Sequence, residues 1–329
     1  MGRSSPRITV GIPCYNRASG LKGTLKAITN QTYRNLEIII SDNYSEDPSV
    51  KAVADEFISN DLRVSYVRQE SNLGALGNFL YLAEYGTSEY FMWAADDDWW
   101  AEDFIEKMII LLETDSAASV AFSRFAPLED SFSKKKRYPD FYNAMRQFTA
   151  PCLQQRLSDF ILQKEAFGKA HFTYGLHRTE VLRDCLRKTI GYINPKIKVD
   201  ELLQFDVLLC ASLLTYGHLV LSEQLLRRFG SGPRKLPRRE PQSLLERFLR
   251  YDGRNLIFLD CYFPMIEKLG CDDAEKRRLV RDVKRKKLNF IFERIGRRLF
   301  IYKAYWHFFK RMKYKTIEEL VGDKLTPEP

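Results

Sequence analysis

No run in the chain approaches the roughly 18 uninterrupted apolar residues that a membrane-crossing helix needs. Its first residues, Met1-Gly2-Arg3-Ser4-Ser5-Pro6, lack the apolar stretch of a secretory leader. CxxC spacing is also missing. Cys14, Cys152, Cys185, Cys210, Cys261 and Cys271 stand far apart, which argues against a zinc or disulfide framework and leads to the expectation of a reduced, cytoplasmic chain. No GxGxxG follows the first strand-like segment and no GxxxxGK[ST] occurs anywhere, so a dinucleotide fold and a P-loop are disfavoured. Low-complexity segments and internal repeats are absent, and apolar content is 45%, which excludes a disordered chain.

What is present is a chain of 329 residues with a formal charge of +9. That length allows one large domain or two moderate ones, and the charge points to an anionic partner. Arg7 to Pro13, Leu36 to Ser41, Arg63 to Val67, Glu89 to Ala95 and Ala118 to Ser123 read as strands. Leu21, Leu25 and Ile28 recur at the spacing of one helix face, and Val50, Val53, Ala54 and Phe57 do so in the next helix, which Ser45 or Asp47 can cap. Strand and helix in alternation predict an α/β fold, an open sheet with helices on both faces. Ligands of such sheets bind outside the carboxyl ends of the strands, here Pro13–Arg17, Asp42–Asp47, Gln69–Asn78 and Asp96–Asp98.

The last of these loops is the most unusual. Asp96, Asp97 and Asp98 follow the apolar run Tyr90-Phe91-Met92-Trp93. Three adjacent carboxylates repel unless a cation joins them, and Mg²⁺ is typically held by one or two carboxylates together with substrate phosphates. The alternative is an acidic turn ahead of the next helix, where negative charge is favourable. Further on, Glu129 to Arg146 reads as a polar surface loop around Lys134–Arg137, Leu153 to Phe167 as a helix, and His171 to Arg178 as a strand-like run with a Gly turn. Val199 to Tyr216 reads as a helix with Gly217 as its C′ residue, and His218 to Leu221 as a strand.

Taken together, these loops resemble the family 2 inverting glycosyltransferases of GT-A fold. Pro13-Cys14-Tyr15-Asn16-Arg17 is similar to that family's P-x-Y-N-R/E segment, and Ser41 to Asp47 to its D-[DN]-x-S-x-D segment. Asn72-Leu73-Gly74 and Asn78 resemble its third loop, and Asp96–Asp98 its acidic metal motif; the likeness spans about Ile8 to Phe229. It implies a Rossmann-like, mainly parallel mixed sheet flanked by helices. Pro13, Tyr15, Asn16, Arg17, Asp42, Asn72, Gly74, Asn78 and Asp96 would then bind the nucleotide, and Asp96, Asp97 and Asp98 would hold Mg²⁺ or Mn²⁺. For Asp42 a turn-capping role stands as the alternative. Ala95 occupies the place where the family often has its first Asp, and the sequence leaves open which of the three aspartates meets metal and which meets ribose.

The family's catalytic base lies about eleven residues before a helix-ending Gly. Asp206 stands eleven before Gly217, with Asp200 as its rival. An Asp flanked by Phe205, Val207 and Leu208 is costly without a partner or a task. Tyr174, Gly175, His177, Arg178 and Arg228 resemble acceptor-side or diphosphate-side positions, with Arg227 beside the last. His177 reads as an exposed strand-end residue rather than a metal ligand. The implied activity is transfer of a sugar from a nucleotide donor, a UDP-sugar first, to a glycan or lipid-linked acceptor in surface polysaccharide synthesis.

Residues 231–329 lie outside the resemblance and read as helices after a basic linker, a region apart from residues 1–230. Between Asp272 and Lys315 there are 16 Lys/Arg against 5 Asp/Glu, with aromatics from Phe290 to Phe309 interleaved. That composition suits peripheral contact with an anionic membrane. It equally suits a helical subdomain packed on the core or on a second copy in a homo-oligomer. Two rival functions remain. A non-catalytic sugar-nucleotide binder would explain Ala95 and Phe205. A nucleic-acid-binding protein would explain the charge but not an acidic triplet that repels phosphate, so no nucleic acid is expected.

Overall fold

The computed structural model describes residues 5–128, 138–193, 202–230, 256, 258–298 and 314–315. Strand β1 (Ile8–Cys14) is buried along its whole length, as a strand covered on both faces must be. Helix α1 (Ala18–Thr29) buries Leu21, Leu25 and Ile28 against the sheet. Strand β2 (Leu36–Asp42) buries Ile38, Ile39 and Ile40, each worth about 1.5–3 kcal/mol. Helix α2 (Pro48–Asn60) is capped by Asp47, whose carboxylate accepts from the Ser49 N–H. Pro48 opens the helix where its missing donor costs nothing.

The chain continues through β3 (Val64–Arg68), α3 (Gly74–Tyr85), β4 (Tyr90–Trp93), β5 (Trp99–Trp100), α4 (Phe104–Thr114) and β6 (Ala118–Pro127). After β7 (Tyr138–Pro139) come α5 (Phe141–Met145), a 3₁₀ turn, α6 (Leu153–Leu162) and two further 3₁₀ turns at Glu165–Phe167 and His171–Tyr174. Then follow β8 (Leu176–Arg178), α7 (Thr179–Tyr192), α8 (Leu202–Tyr216), β9 (His218–Phe229), α9 (Tyr262–Glu267), α10 (Asp273–Arg298) and β10 (Tyr314–Lys315).

Eight strands form one mixed sheet in the order β3-β2-β1-β4-β8-β6-β9-β5. The first four are parallel; β8 runs antiparallel to both β4 and β6, and β9 runs parallel to β6. The α/β sheet flanked by helices is the architecture expected from the alternation. From β1 the chain moves outward to β2 and β3, then returns past both to β4. Right-handed crossovers therefore put α1 and α2 on one face and α3 on the other, where α7 packs on α3 and α8 on α7. The reversal opens a crevice at the carboxyl ends of β1 and β4, the place where open α/β sheets take ligands.

Several local expectations give way. Residues 141–146 are not a surface loop: α5 buries Phe141, Ala144 and Met145 because Asp140 caps it and Phe141 stacks on Phe125. Trp99 and Trp100 form an edge strand paired with Arg228 and Arg227. Gly217 does end α8, but without a left-handed backbone; a Cβ there would lie 2.3 Å from the Ala117 carbonyl oxygen, so close chain approach explains the glycine. Helix α10 lies along α6 with Leu279 and Val283 fully buried in the common core, and α9 adds Tyr262, Met265 and Ile266. Lys134–Arg137, Asp200, the 231–239 linker and the aromatics from Phe300 to Phe309 lie outside the described residues.

Candidate functional site

The crevice holds a cleft of about 680 Å³ lined by Pro13, Arg17, Asp96–Asp98, Lys169, His171, Tyr174, Asp206 and Arg227, among others. The acidic loop is fixed from below by α1. Thr24 Oγ1 donates to the Ala95 carbonyl at 2.9 Å, and a Cβ at Gly20 would sit 2.2 Å from the Asp96 carbonyl oxygen.

The three aspartates divide. Arg17 Nη1 lies 2.7 Å from Asp96 Oδ1 and 3.0 Å from Asp97 Oδ2. Burial pushes the Asp96 carboxyl up to about 7 against the pull of Arg17. Asp98 faces the other way. Its Oδ2 takes Arg227 Nε at 2.8 Å and Arg227 Nη2, and its Oδ1 takes the Gly230 N–H at 3.0 Å. Burial pushes the Asp98 carboxyl upward, and Arg227 opposes that push.

Arg227 is fully buried and sits over the rings of Tyr174 and Trp100, with its Nη1 3.1 Å from His171 Nδ1. An arginine can only donate, so His171 Nδ1 accepts and its proton sits on Nε2. Burial, then the Arg227 charge, hold that imidazole neutral.

Asp206 lines the same cleft from α8, between the buried Phe205 and Val207. Its charge adds to burial in raising the Tyr174 phenol. Lys169, fully buried, also lines the cleft, donating to the carbonyls of Phe160 and Gln163 at 2.8 and 3.1 Å, with Glu165 at 3.2 Å. Burial lowers its ammonium to about 8.

The first three loops are tied to one another. Asn16, with φ of 52°, accepts the Glu46 and Asp47 N–H groups on Oδ1 and donates its own N–H to Ser45 Oγ. Asn72 Oδ1 accepts from Asn43 Nδ2 and from Gly74 N–H, and Gly74 has φ of +72°, which favours glycine. Asn78 is buried and brackets Ser41 through its hydroxyl and carbonyl. Asp42 is buried too, accepting from Tyr66 Oη at 2.6 Å and from the Ser45 N–H at 2.9 Å, so the turn-capping contact is present. Tyr15 is 44% exposed beside this cluster and Tyr44 is 43% exposed under Arg68. Asn16, Asn72 and Asn78 thus build the loops, while Pro13 and Arg17 face the cleft.

The acceptor-side set separates along β8. Its antiparallel register puts His177 opposite Phe91 and Arg178 opposite Tyr90, so the strand runs away from the carboxyl end of β4. Tyr174 stays in the cleft. Gly175 packs tightly on β6, where a Cβ would meet the Ala121 carbonyl oxygen at 2.5 Å. His177 is fully buried, not exposed; Nε2 meets the Thr173 carbonyl and the ring lies edge-on to Trp93. Arg178 sits at the opposite end of β4, donating to Tyr90 Oη and the Leu112 carbonyl. Arg228 lies over Trp99, and its neighbour Arg227 lines the cleft. A strand alternates faces, so the sequence could say that one of the two arginines faces inward, but not which. Nothing in the sequence marked Lys169 or His171, which a pair of 3₁₀ turns brings to the cleft.

Asp96 and Asp97 offer hard oxygen donors, and the Arg17 guanidinium already holds a positive charge between them. That donor set fits Mg²⁺ or Mn²⁺. Among the described residues no three His, Cys, Asp or Glu side chains converge as a protein-only cage.

The family model described as "Glycosyl transferase family 2" matches residues 9–178. "Glycosyltransferase GlyA" of Streptococcus pneumoniae serotype 4 is 30% identical over 205 residues, 58% of this chain and 28% of that protein. A Campylobacter jejuni "GalNAc(5)-diNAcBac-PP-undecaprenol beta-1,3-glucosyltransferase" is 33% identical over 94 residues, 28% of this chain and 30% of its own. The chain thus spans less than a third of either curated relative. Among solved structures, S. aureus TarS 1-349 superposes with a TM-score of 0.58 at 14% identity, over 87% of this chain and 72% of that one. Mannosyltransferase PcManGT from Pyrobaculum calidifontis gives 0.51 at 14%, over 85% and 69%. At that identity the likeness is one of fold.

Proposed function

The chain belongs to glycosyl transferase family 2, and from that membership and the cleft we propose that it is an inverting, metal-dependent glycosyltransferase. The donor is a nucleotide sugar, a UDP-sugar first, and the acceptor a hydroxyl of a glycan or lipid-linked saccharide in surface polysaccharide synthesis. The observation that carries the reading is that Asp206 and the acidic triplet, 108 residues apart at their nearest, line one cleft at the carboxyl ends of β1 and β4. TarS solved with UDP-GlcNAc and PcManGT solved with GDP-Man and Mn²⁺ support a nucleotide-sugar donor and a metal.

In this proposal the nucleotide lies over the β1, β2 and β3 loops, near Pro13, Tyr15 and Asp42. Asp96 and Asp97 would hold Mg²⁺ or Mn²⁺, which supplies charge neutralisation at the donor diphosphate. Arg17 and Arg227 add fixed positive charge on the same side. Asp206 accepts the proton of the acceptor hydroxyl, whose oxygen attacks the anomeric carbon from the face opposite the leaving diphosphate. Asp98, at the cleft wall, is held by Arg227 and the Gly230 N–H and anchors the end of β9 against the acidic loop. A lipid-linked acceptor would place the protein against the inner face of a membrane.

Release of nucleoside diphosphate from UDP-GlcNAc, UDP-glucose and GDP-mannose with Mn²⁺ tests the reading. Turnover of at least one donor by the wild type is expected, with Asp206→Asn lowering it by about 10²-fold or more while nucleotide affinity is kept. Tight UDP binding by calorimetry without release from any donor would instead mark a non-catalytic binder.

A further inference from the structure

Beyond its first turn, helix α10 turns both of its acids toward the body of the protein and leaves a stripe of exposed cations on the other side. Inward, Leu279 and Val283 are fully buried on the body of the protein and Lys286 is nearly so. Beyond the first turn its acids are turned to that body: Asp282 accepts from Ser158 Oγ at 2.7 Å, and Glu293 pairs with Lys164 at 2.6 Å. Outward stand Arg277, Arg281, Lys284 and Arg285, all exposed, followed by Leu288 at 54% and Phe292 at 65% exposure. At 3.6 residues per turn these six side chains fall within an arc of about 100°. None of the four cations is in an ion pair among the described residues.

We propose that this outward face of α10 is a docking surface for an anionic lipid bilayer. Four uncompensated cations suit lipid phosphates. A leucine and a phenylalanine four residues apart at one end of the same stripe suit the boundary between headgroups and acyl chains. A nucleic acid would meet the cations but leave Leu288 unused. The opposite side of the helix reaches the cleft: Lys286 Nζ lies 3.4 Å from Glu165, which lines it. A bilayer held on α10 would therefore lie about one helix diameter from this side of the cleft. The inference deepens the lipid-linked acceptor reading, yet its test does not need turnover.

Co-sedimentation of the full chain with phosphatidylcholine vesicles, with and without phosphatidylglycerol, tests it. Binding is expected only with phosphatidylglycerol and should weaken as salt rises. Replacing Arg277, Arg281, Lys284 and Arg285 together by Gln should lower vesicle affinity at least tenfold. Leu288→Ser with Phe292→Ser should lower it at low salt as well. Both variants change exposed side chains, so the wild-type melting temperature and UDP affinity should persist. Wild-type indifference to phosphatidylglycerol would overturn the proposal, as would wild-type vesicle binding by either variant. So would displacement by a single-stranded RNA oligomer with no effect of the Leu288/Phe292 change. Vesicle binding without donor turnover would sink the proposed function alone; turnover without vesicle binding would sink this proposal alone.

Discussion

At the scale of single residues, the site is a contest between burial and charge. Asp96 sits beside the charges of Asp97 and Asp98 and against Arg17, and burial raises its carboxyl to about 7 from 3.8. The sign of the stability effect follows. Between those values the unfolded chain has released the proton while the folded chain keeps it, so stability falls as pH rises through the window. Above about pH 7 the full penalty, at most about 4 kcal/mol, is present. Asp96→Asn removes the titrating group and keeps an acceptor for Arg17. Its melting temperature should exceed the wild type's at pH 8, and the gain should shrink toward zero near pH 4. An equal gain at both pH values would show that Asp96 is not the strained carboxylate. Asp98 is a second buried carboxylate that burial pushes upward, its partners supplied by Arg227 and a backbone N–H. Its position in the triplet is legible in the sequence; its partner, 129 residues away, is not.

At the scale of elements, strand register and close packing assign the roles. Arg227 and Arg228 exchange places between cleft and edge according to one pairing, Trp100 with Arg227. Likewise β8 carries Arg178 away from the site because it runs antiparallel to β4. A local pattern cannot contain such facts, since register depends on the partner strand. The turn between α8 and β9 depends on proximity in the same way. In Gly217→Ala the new Cβ would lie 2.3 Å from the Ala117 carbonyl oxygen and 2.7 Å from the Ser119 nitrogen, both backbone atoms that cannot swing aside. The variant should lose about 1–3 kcal/mol or more, seen as a lower denaturation midpoint with an unchanged slope. An unchanged midpoint would mean that β6 and β9 have room to part there.

At the scale of the whole molecule, the described C-terminal helices are continuous with the sheet domain's core. Leu279 and Val283 of α10 belong to the same buried cluster as Phe160 of α6 and Leu209 of α8. Leu279→Ala should therefore cost about 2–5 kcal/mol. The loss should appear as a downward shift of a single calorimetric transition. A separate low-temperature transition would instead mark a C-terminal unit that melts on its own. The same coupling reaches the cleft, where Glu165 is shared between Lys286 of α10 and Lys169.

The sequence by itself determined the alternation of strands and helices, the four polar loops at strand ends, the acidic triplet and Asp206 as a carboxylate out of place in an apolar helix. Those are local properties, written in hydrophobic period and in residue types that are costly wherever they sit. Only packing between distant segments settles that Arg17 takes Asp96 and Asp97 while Arg227 takes Asp98, that His171 and Lys169 join the cleft, and that Arg277, Arg281, Lys284 and Arg285 of α10 face outward while Asp282 and Glu293 face the body. Each of those outcomes is a contact between segments far apart in the chain, and only the packing of elements sets which side chains meet.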